Sequence, residues 1–267
     1  MTAIQQKIRN AIREFIIGKG FFVTRATTPQ MLDGFFKQIK PYTTDRKLIR
    51  IGGAADGGYL VPDDFEGIEV CFSPGVSDVA GFELDLAKKN IKCFMADYSV
   101  ESPPCTNSLF DFEKKYLGIQ NDDVFMTLES WIENKAPGAS ELILQMDIEG
   151  AEYGVILNTA EESLRRFRII VIEFHNLDAM FDRNGFDLIN MTFNKLLQHF
   201  DIVHIHPNNC RPVVRCGDHA IPPVMEITFL RKDRISSRQP NRNFPHALDV
   251  KNFSKSSDVA LPVCWQG

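Results

Sequence analysis

The 267-residue sequence lacks the features of membrane, secreted and nucleic-acid-binding proteins. No apolar run approaches the roughly 20 residues that a membrane-spanning helix needs, and the N-terminal stretch carries charges where a signal peptide has its apolar core. The six cysteines follow no framework spacing, which is typical of reduced thiols. A net charge of −5 argues against a protein that binds nucleic-acid phosphates. We therefore expect a soluble, cytoplasmic protein with no integral membrane segment and no nucleic-acid partner.

From residue 68 onward, short apolar runs alternate with stretches of helical periodicity. This alternation predicts a mostly parallel sheet with helices on both faces. The last two runs are joined by about 17 residues without helical periodicity, and because a parallel crossover normally needs a helix, we expect the last strand to be antiparallel. Six parallel strands and one antiparallel strand at the end of the order describe an α/β fold, the Rossmann-like methyltransferase sheet. The predicted strands are IEVCFSPG, IKCFMADYS, DVFMTLESWI, ELILQMDI, RIIVIEF, DIVHIH and VMEITFLRK, with helices around Ala80–Lys89, from Ala151 and around Asp187–Phe200.

Two amphipathic stretches precede this domain, and a polar tail follows it. A first apolar stripe recurs at helical spacing between Ile4 and Ile16, and a second runs from Leu32 to Ile39 and ends at Pro41. Such stripes can bind a membrane surface or a partner, but we expect them to pack onto the chain's own domain. The Pro-rich tail is expected to be an extended segment on the surface or a mobile arm. The chain thus divides into an N-terminal helical lead-in (1–45), an α/β domain (46–235) and an extended tail (236–267).

The first strand-to-helix turn is where a ligand approaches the backbone in a sheet of this kind. In the segment CFSPGVSDVAGFE, Gly75 gives the turn its steric freedom, and the helix begins between Asp78 and Glu83. Asp97 ends the second strand, the place from which a carboxylate accepts hydrogen bonds from ribose hydroxyls. The motif G-x-G-x-x-G, which brings backbone close to a pyrophosphate, is absent. The pattern favours a nucleoside cofactor without phosphates, and S-adenosylmethionine fits that description.

Four segments resemble the FkbM family of S-adenosylmethionine-dependent methyltransferases. They are RIGGAADGGYLVPDDF, SPGVSDVAGFELDLA, TLESWI and LILQMDIEGAEYGVI, and the resemblance spans about residues 50–232. The family signature is an apolar strand followed by D-x-E-G-x-E. Many methyltransferases have a second glycine in the first turn, where this chain has Val76 and Ser77. The resemblance implies a methyltransferase that binds its cofactor through Gly75, Val76, Ser77, Asp78, Glu83, Asp97, Tyr98, Asp56, Tyr59 and Glu149.

The segment DGGYLV, which begins at Asp56 and contains Tyr59, has two open interpretations. Asp-Gly and Gly-Gly between apolar residues favour a tight hairpin. In a functional interpretation, the same hairpin caps the methionine end of the cofactor.

The signature segment places three carboxylates within six residues. The resemblance implies that this segment faces the transferable methyl group. Methyl transfer to a hydroxyl needs the acceptor held in line at about 3 Å and a group that takes up or stabilises its proton. Asp147, at the strand end, is the candidate for this chemistry. Glu149 is expected to line the same pocket, and Glu152 to stabilise the start of the next helix.

Polar residues at the ends of the next two strands are expected at the same edge of the sheet. Glu173 and His175 alternate onto one face of IIVIEFHNL, and a glutamate in such an apolar run is costly unless it is paired. Asn176 follows them, and the next strand ends in HIHPNN, which contains His206. The candidate catalytic residues are Asp147, His175, His206 and Glu173. The candidate ligands of Mg²⁺ or Mn²⁺ are Asp147, His175, Asn176 and His206.

Three interpretations of these residues stay open. In the first, a divalent cation acidifies the acceptor hydroxyl. In the second, His175 or His206 acts as a general base near neutral pH. In the third, the histidines are structural, and the carboxylates only favour a helix start.

A structural zinc site is a weaker alternative, because the spacing C-x5-C-x2-H matches no common zinc motif. Its ligands would come from His204, His206, Cys210, Cys216 and His219. The segment NNCRPVVRCGDH is better interpreted as a substrate loop, since amides and guanidinium groups suit hydroxyl-rich or anionic acceptors.

The leading hypothesis is an S-adenosylmethionine-dependent O-methyltransferase whose acceptor is a polar small molecule or glycan. A sugar hydroxyl is favoured because the resemblance implies it: many family members modify glycans or polyketides. The alternatives are a nicotinamide-linked sugar-modifying enzyme on a similar sheet and a zinc-stabilised, non-catalytic interaction module.

Overall fold

The computed structural model describes residues 3–21 and 23–266, which form seven α-helices and fifteen strands. The helices are α1 (Ala3–Gly18), α2 (Pro29–Gln38), α3 (Gly81–Lys88), α4 (Leu128–Lys135), α5 (Glu152–Asn158), α6 (Glu161–Leu164) and α7 (Arg183–His199). The strands are β1 (Tyr42–Thr44), β2 (Leu48–Ile51), β3 (Tyr59–Pro62), β4 (Val70–Pro74), β5 (Lys92–Ala96), β6 (Phe110–Glu113), β7 (Tyr116–Gly118), β8 (Phe125–Thr127), β9 (Leu142–Met146), β10 (Phe167–Phe174), β11 (Phe200–Pro207), β12 (Val214–Cys216), β13 (His219–Ile221), β14 (Met225–Arg231) and β15 (Arg238–Pro240). Short 3-10 helices lie at Leu177–Phe181, Lys232–Arg234 and Val263–Trp265.

The centre of the fold is a seven-stranded sheet in the order β11-β14-β10-β9-β4-β5-β6. Strands β10, β9, β4, β5 and β6 are parallel to one another, and β14 is antiparallel to both of its neighbours, β10 and β11. The predicted α/β class, the mostly parallel sheet and the antiparallel last strand are confirmed. That last strand does not lie at an edge, because it inserts between the fifth and sixth parallel strands.

The third strand of the sheet differs from the prediction. The sequence assigns it to DVFMTLESWI, but β6 is the segment FDFE, and the predicted run is divided between β8 and α4. The helix begins there because the side chain of Thr127 accepts a hydrogen bond from the Ser130 N–H, which is the usual N-cap contact. The edge strand β6 has no run of apolar residues, because Asp111 and Glu113 form ion pairs with Lys135 instead of entering the core. An apolar pattern therefore does not identify it.

The sheet has an apolar core on each face, because successive strand residues point to opposite sides. Leu142 and Leu144 of β9 belong to the core that α2, α4, α5 and α7 cover. Ile143 belongs to the core beneath α3 and the β2–β3 hairpin. Every residue of β9 and β10 is buried, as expected of parallel strands covered on both faces.

The two lead-in helices behave differently. Helix α2 starts at Thr28, whose side chain accepts the Met31 N–H, and it buries Leu32, Phe35 and Phe36 in the domain core. Helix α1 leaves its apolar stripe exposed, so the expected packing onto the domain holds for α2 and not for α1. Among the described residues, no helix combines the length and apolarity needed to cross a bilayer.

The C-terminal tail returns to the domain along an extended path. Strand β15 pairs with β1, and Trp265 is buried against Phe36, with its indole N–H donating to the Ala220 carbonyl. Between these two attachments, Asn252 is buried near the carboxyl ends of the parallel strands. The tail therefore contacts the domain at three separate places: through β15, through Asn252 and through Trp265.

Candidate functional site

A cavity of about 560 Å³ opens where the parallel strands β4, β5 and β9 end. This is the edge at which open α/β sheets bind ligands. Nine of the ten predicted cofactor-binding residues line the cavity. The tenth, Tyr98, lies beside it, and the centre of its ring is 5.3 Å from that of Tyr116, a lining residue. The nine are Asp56, Tyr59, Gly75, Val76, Ser77, Asp78, Glu83, Asp97 and Glu149.

Gly75 is required by the close approach of two strand ends. Its φ is 89°, and a Cβ at this position would overlap the carbonyl oxygen of Asp147. Only glycine adopts this conformation without strain and leaves the space free. The turn after β4 and the turn after β9 are therefore in contact beneath the cavity.

Asp97 is 6% exposed and organises the turn opposite it. One carboxylate oxygen accepts the Ser77 N–H at 2.9 Å, and the other accepts both the N–H and the hydroxyl of Ser99 at 2.8 and 2.7 Å. A carboxylate has about four acceptor positions, so one position remains for a ligand hydroxyl.

Glu83 is nearly fully buried beneath the cavity and belongs to a hydrogen-bond chain. The Ser73 hydroxyl contacts both Glu83 and the side-chain oxygen of Gln145. Burial raises the pKa of the Glu83 carboxyl. Its carboxyl is thus held by neighbouring protein groups at the floor of the cavity.

The segment from Asp56 to Tyr59 leads into the second strand of the β2–β3 hairpin, and Asp56 and Tyr59 line the cavity. The Gln145 amide donates to the Tyr59 hydroxyl at 3.4 Å. Burial and the charges of Glu173 and Asp147 raise the pKa of Tyr59 well above its usual value, which keeps it protonated.

The signature segment brings His175 among four carboxylates. Its Nδ1 lies 2.9 Å from an oxygen of Glu152, which also accepts the N–H groups of Ile148 and Gly150. Its Nε2 faces three further carboxylate oxygens at 3.6 to 3.8 Å. These oxygens belong to Asp147, Glu149 and Glu173.

The pKa values of Asp147 and His175 are both raised, for different reasons. Burial raises the pKa of Asp147 to about 7, against the opposing effect of His175, and the charges of Glu149 and Asp56 add to the rise. Burial lowers the pKa of His175, but the hydrogen bond and charge of Glu152, with the charge of Asp147, raise it overall. Both the protonated and the ionised form of Asp147 are therefore accessible near neutral pH.

Backbone strain concentrates at this edge of the sheet. Ser77, Glu149 and Asn176 all have positive φ, at 43°, 57° and 55°. A non-glycine residue in this region costs about 1 kcal/mol or more and persists where the surroundings fix it, often at a functional site. All three follow the carboxyl ends of parallel strands.

A second polar group continues across the sheet from Asp147. Glu173 lies opposite Glu226 in the pairing of β10 with β14, and Glu226 lies opposite His206 of β11. The Asn252 amide donates to both Asp56 and Glu226, at 2.9 and 2.6 Å. Burial raises the pKa of Glu226 to about 7, and burial with the charges of Asp147 and Glu226 raises that of Glu173.

Two sets of possible metal ligands occur among the described residues, with ligand atoms within 4.8 Å of one another. They are Asp147 with Glu149 and His175, and Asp56 with Glu173 and Glu226. The structure thus joins Asp147 and His175, as the sequence predicts, but adds Glu149. His206 faces Asp249 at 3.6 Å, and the Asn176 side-chain oxygen accepts from Arg211.

The residues considered for zinc have other partners. His219 lies 2.9 Å from Asp33 and stacks on Phe36, and His204 lies 2.9 Å from Asp249. Cys210 and Cys216 are exposed. In the described part of the chain, neither metal-ligand set contains a cysteine.

Several residues at the site were not predicted from the sequence. Leu117, Tyr116 and Phe125 line the cavity from the short β7–β8 sheet, whose place beside the site follows only from the fold. Glu226 carries a signal in the sequence, because it is a carboxylate inside the apolar strand VMEITFLRK. Asn252 has no such signal, because it reaches the site from the distant tail.

The sheet order and the cavity at the ends of its first strands define a Rossmann-like methyltransferase fold. Residues 99–201 match the methyltransferase FkbM domain, which confirms the resemblance carried by the signature segment. This part of the chain is therefore similar to the methyltransferase FkbM domain.

Two solved structures are similar to the chain at low identity. Precorrin-6y C5,15-methyltransferase from Geobacter metallireducens GS-15 is 9% identical, with a TM-score of 0.31, and the match covers 62% of this chain and 81% of that one. The tRNA (uracil-54, C5)-methyltransferase of Pyrococcus abyssi, in complex with S-adenosyl-L-homocysteine, is 14% identical, with a TM-score of 0.31 and coverage of 69% and 44%. No curated protein matches the chain.

Proposed function

We propose that this methyltransferase transfers the methyl group of S-adenosylmethionine to a hydroxyl of a polar acceptor, in particular a sugar or glycan unit. The observation that carries the proposal is that Asp147 lines the cavity and faces Nε2 of His175, which Glu173 also approaches. The cavity has the size of a nucleoside ligand site. The carboxyl groups of Asp147 and Glu149 in its lining can accept hydrogen bonds from a hydroxyl-rich molecule.

The cofactor is proposed to lie along the ends of β4, β5 and β9. Asp97 has an acceptor position free for a ribose hydroxyl, and Gly75 leaves the backbone open to the ligand. Tyr116 and Phe125 offer aromatic surface to the base. The positive sulfonium is proposed to lie towards Asp147 and Glu149, where a cation offsets the repulsion among carboxylates.

The proton of the acceptor hydroxyl is proposed to pass to the Asp147–His175 pair. As the bond between acceptor oxygen and methyl carbon forms, the carbon–sulfur bond breaks, and its electron pair stays on sulfur to give neutral S-adenosylhomocysteine. Glu152 holds Nδ1 of His175, so Nε2 is the nitrogen that faces the cavity side. Glu173 and His206 are proposed to orient the acceptor, which extends the catalytic role that the sequence suggests for them.

A divalent cation such as Mg²⁺ or Mn²⁺ fits the set of Asp147, Glu149 and His175. Oxygen ligands with one imidazole suit such ions, and Asp147 Oδ1 is a buried oxygen with no hydrogen-bond partner. When bound, the cation lowers the pKa of an acceptor hydroxyl. This set replaces Asn176 and His206, proposed from the sequence, by Glu149.

The cation is tested by binding and by activity. Titration of metal-free protein with Mn²⁺, followed by electron paramagnetic resonance, should show a stoichiometric site that Asp147→Asn abolishes. Exposed Asp123→Asn is the matched control and should leave the site unchanged. Full methylation activity in the presence of EDTA, together with the absence of a bound Mn²⁺ signal, would refute the metal-assisted mechanism. The mechanism with His175 as the base would then remain.

The methyl-transfer proposal is tested first by isothermal titration with S-adenosylmethionine and S-adenosylhomocysteine. Both should bind at one per chain, and NAD should not. A labelled methyl donor is then supplied with glycan fractions and free sugars, and the product is analysed for methyl ethers. Failure of both nucleosides to bind would refute the function, and label found only on amines would refute O-methylation.

The compartment is proposed to be the cytoplasm. All six cysteines are free thiols, which suits a reducing environment.

A further inference from the structure

Helix α1 presents an apolar row that the rest of the described chain does not cover. Ile4, Ile8, Ile12 and Phe15 follow one another at intervals of three or four residues, so they lie on one face of the helix. Their side chains are 71%, 55%, 55% and 67% exposed. From Ile4 to Phe15 this row is about 17 Å long, and it marks an interaction surface, because isolated exposed apolar residues do not align in this way.

Basic residues border the apolar row. Between residues 3 and 20 the sequence has four basic residues, Lys7, Arg9, Arg13 and Lys19, and one acidic residue, Glu14. At about 100° per residue, Lys7 and Arg9 fall on opposite borders of the apolar face. The whole chain has a net charge of −5, so this helix is a basic element on an otherwise acidic protein.

The apolar surface continues past the end of the helix, where Phe21 and Val23 are 70% and 56% exposed. The chain is then fixed to the domain, because Thr27 and Arg183 exchange backbone hydrogen bonds with Phe181 and Arg25. Helix α1 is thus tethered to the domain by a short anchored segment while its apolar face stays open. Helix α2, which begins immediately after, has its own apolar face buried.

We propose that α1 is an interfacial helix that docks the protein on an anionic membrane surface, with its apolar row in the headgroup boundary and its basic borders against lipid phosphates. Apolar residues on one face and basic residues around it are the features of helices that lie in the plane of a bilayer. Long basic side chains at the borders reach the headgroups while their stems cover apolar surface.

The charge of α1 favours an anionic membrane over a second copy of the chain as the partner of its apolar row. The α1 region has four basic side chains and one acidic one, so pairing two α1 helices would bring together two segments of the same net charge, and like charges at close range repel. An anionic surface instead attracts the basic side chains. Each basic side chain near the membrane increases the binding affinity by about fivefold. The proposal is independent of the methyl-transfer function, because α1 lies outside the catalytic cavity.

The test is co-sedimentation of the full chain with vesicles. The wild-type protein should bind vesicles of phosphatidylcholine mixed with phosphatidylglycerol at least tenfold more tightly than vesicles of phosphatidylcholine alone, and added salt should weaken the binding. The double variant Ile8→Glu with Ile12→Glu should lose at least tenfold in affinity. Lys7→Gln with Arg9→Gln should lose more than tenfold and become less sensitive to salt.

Val263→Glu is the matched control, because Val263 is 83% exposed and lies far along the tail, and it should bind like the wild type. Thermal unfolding and S-adenosylmethionine titration of every variant establish that the domain is intact. Equal, weak binding to both kinds of vesicle would overturn the proposal. So would a wild-type dimer in sedimentation velocity that Ile8→Glu with Ile12→Glu converts to monomer without any vesicle binding, since that result assigns α1 to self-association.

Discussion

At the scale of single residues, the three carboxylates of the signature segment differ in burial and in the groups they contact. Asp147 is the most buried of the groups that face Nε2 of His175 from this segment, and Glu149 is largely exposed beside it. Glu152 is fully buried and contacts the turn as well as Nδ1 of His175. The helix-start role predicted for Glu152 is therefore joined to a second one, the orientation of the imidazole.

Asp147→Asn should lower kcat by about 100-fold or more if Asp147 takes part in proton transfer as proposed. The pKa of Asp147 is raised to about 7, so the basic form is the minority below that pH. In the wild type, kcat/KM should therefore rise as pH increases through about 7, and the variant should lose this rise. Steady-state kinetics between about pH 5 and about pH 9, which is two units on either side of that pKa, provide the measurement.

Binding of S-adenosylhomocysteine serves as the internal control for that variant, since an intact cavity retains it. A pH profile that is unchanged in Asp147→Asn would assign the titration to another group.

Glu152→Gln should shift the activity profile instead of abolishing activity. The negative charge of Glu152 raises the pKa of His175, so its removal should lower that pKa and move the corresponding limb to lower pH. Nuclear magnetic resonance of the histidine ring follows the titration directly. Glu161→Gln, beside the more exposed His199, is the matched control and should leave the His175 titration in place. A loss of activity with an unmoved His175 titration would contradict the positioning role.

At the scale of structural elements, apolar patterning determines most of what can be predicted. Strands β4, β5, β9, β10, β11 and β14 coincide with apolar runs because they are buried on both faces. Strand β6 does not, because at the sheet edge its acidic residues pair with Lys135 in place of apolar contacts. The helical periodicity correctly predicts that α1 is a helix. It does not predict whether the apolar face is buried, since an apolar stripe carries no information about what covers it.

The turn between β4 and α3 gives a test at this scale. Gly75→Ala should destabilise the protein by about 3 kcal/mol or more, because the added methyl overlaps the Asp147 carbonyl and the φ is positive. Gly138→Ala is the matched control: its φ is also positive, at 76°, but open space surrounds it. It should cost only about 1 kcal/mol. Chemical denaturation of both variants measures the difference, and equal losses would show that the contact between the two turns is unimportant.

At the scale of the whole molecule, the site is completed by segments that are far apart in the sequence. Asp147 and His175 were predictable because both follow apolar strands and parallel strands end at one edge. The contact of Asn252 with Asp56 was not, because it joins positions 196 residues apart through the path of the tail. Sequence patterns report local periodicity, and this contact depends on where a non-periodic segment returns.

The attachment of the tail is tested by Trp265→Ala. Trp265 is 1% exposed and packs on Phe36, so its truncation should lower the free energy of unfolding by about 3–5 kcal/mol. Val263→Ala, at an exposed position two residues away, should change it by less than about 0.5 kcal/mol. Denaturation curves for the two variants provide the comparison. Similar small effects for both would mean that the tail is not an integral part of the folded domain.

The insertion of β14 between β10 and β11 has a consequence for the order of assembly. During synthesis, β10 and β11 leave the ribosome before β14, and β14 is the strand that pairs with β11 in the sheet. Until it arrives, the backbone N–H and C=O groups along β11 and one side of β10 have no partners in the sheet, and unpaired strand edges favour association between chains. A nascent chain that pauses just short of residue 225 would therefore present two open edges at once, and a single late strand closes both.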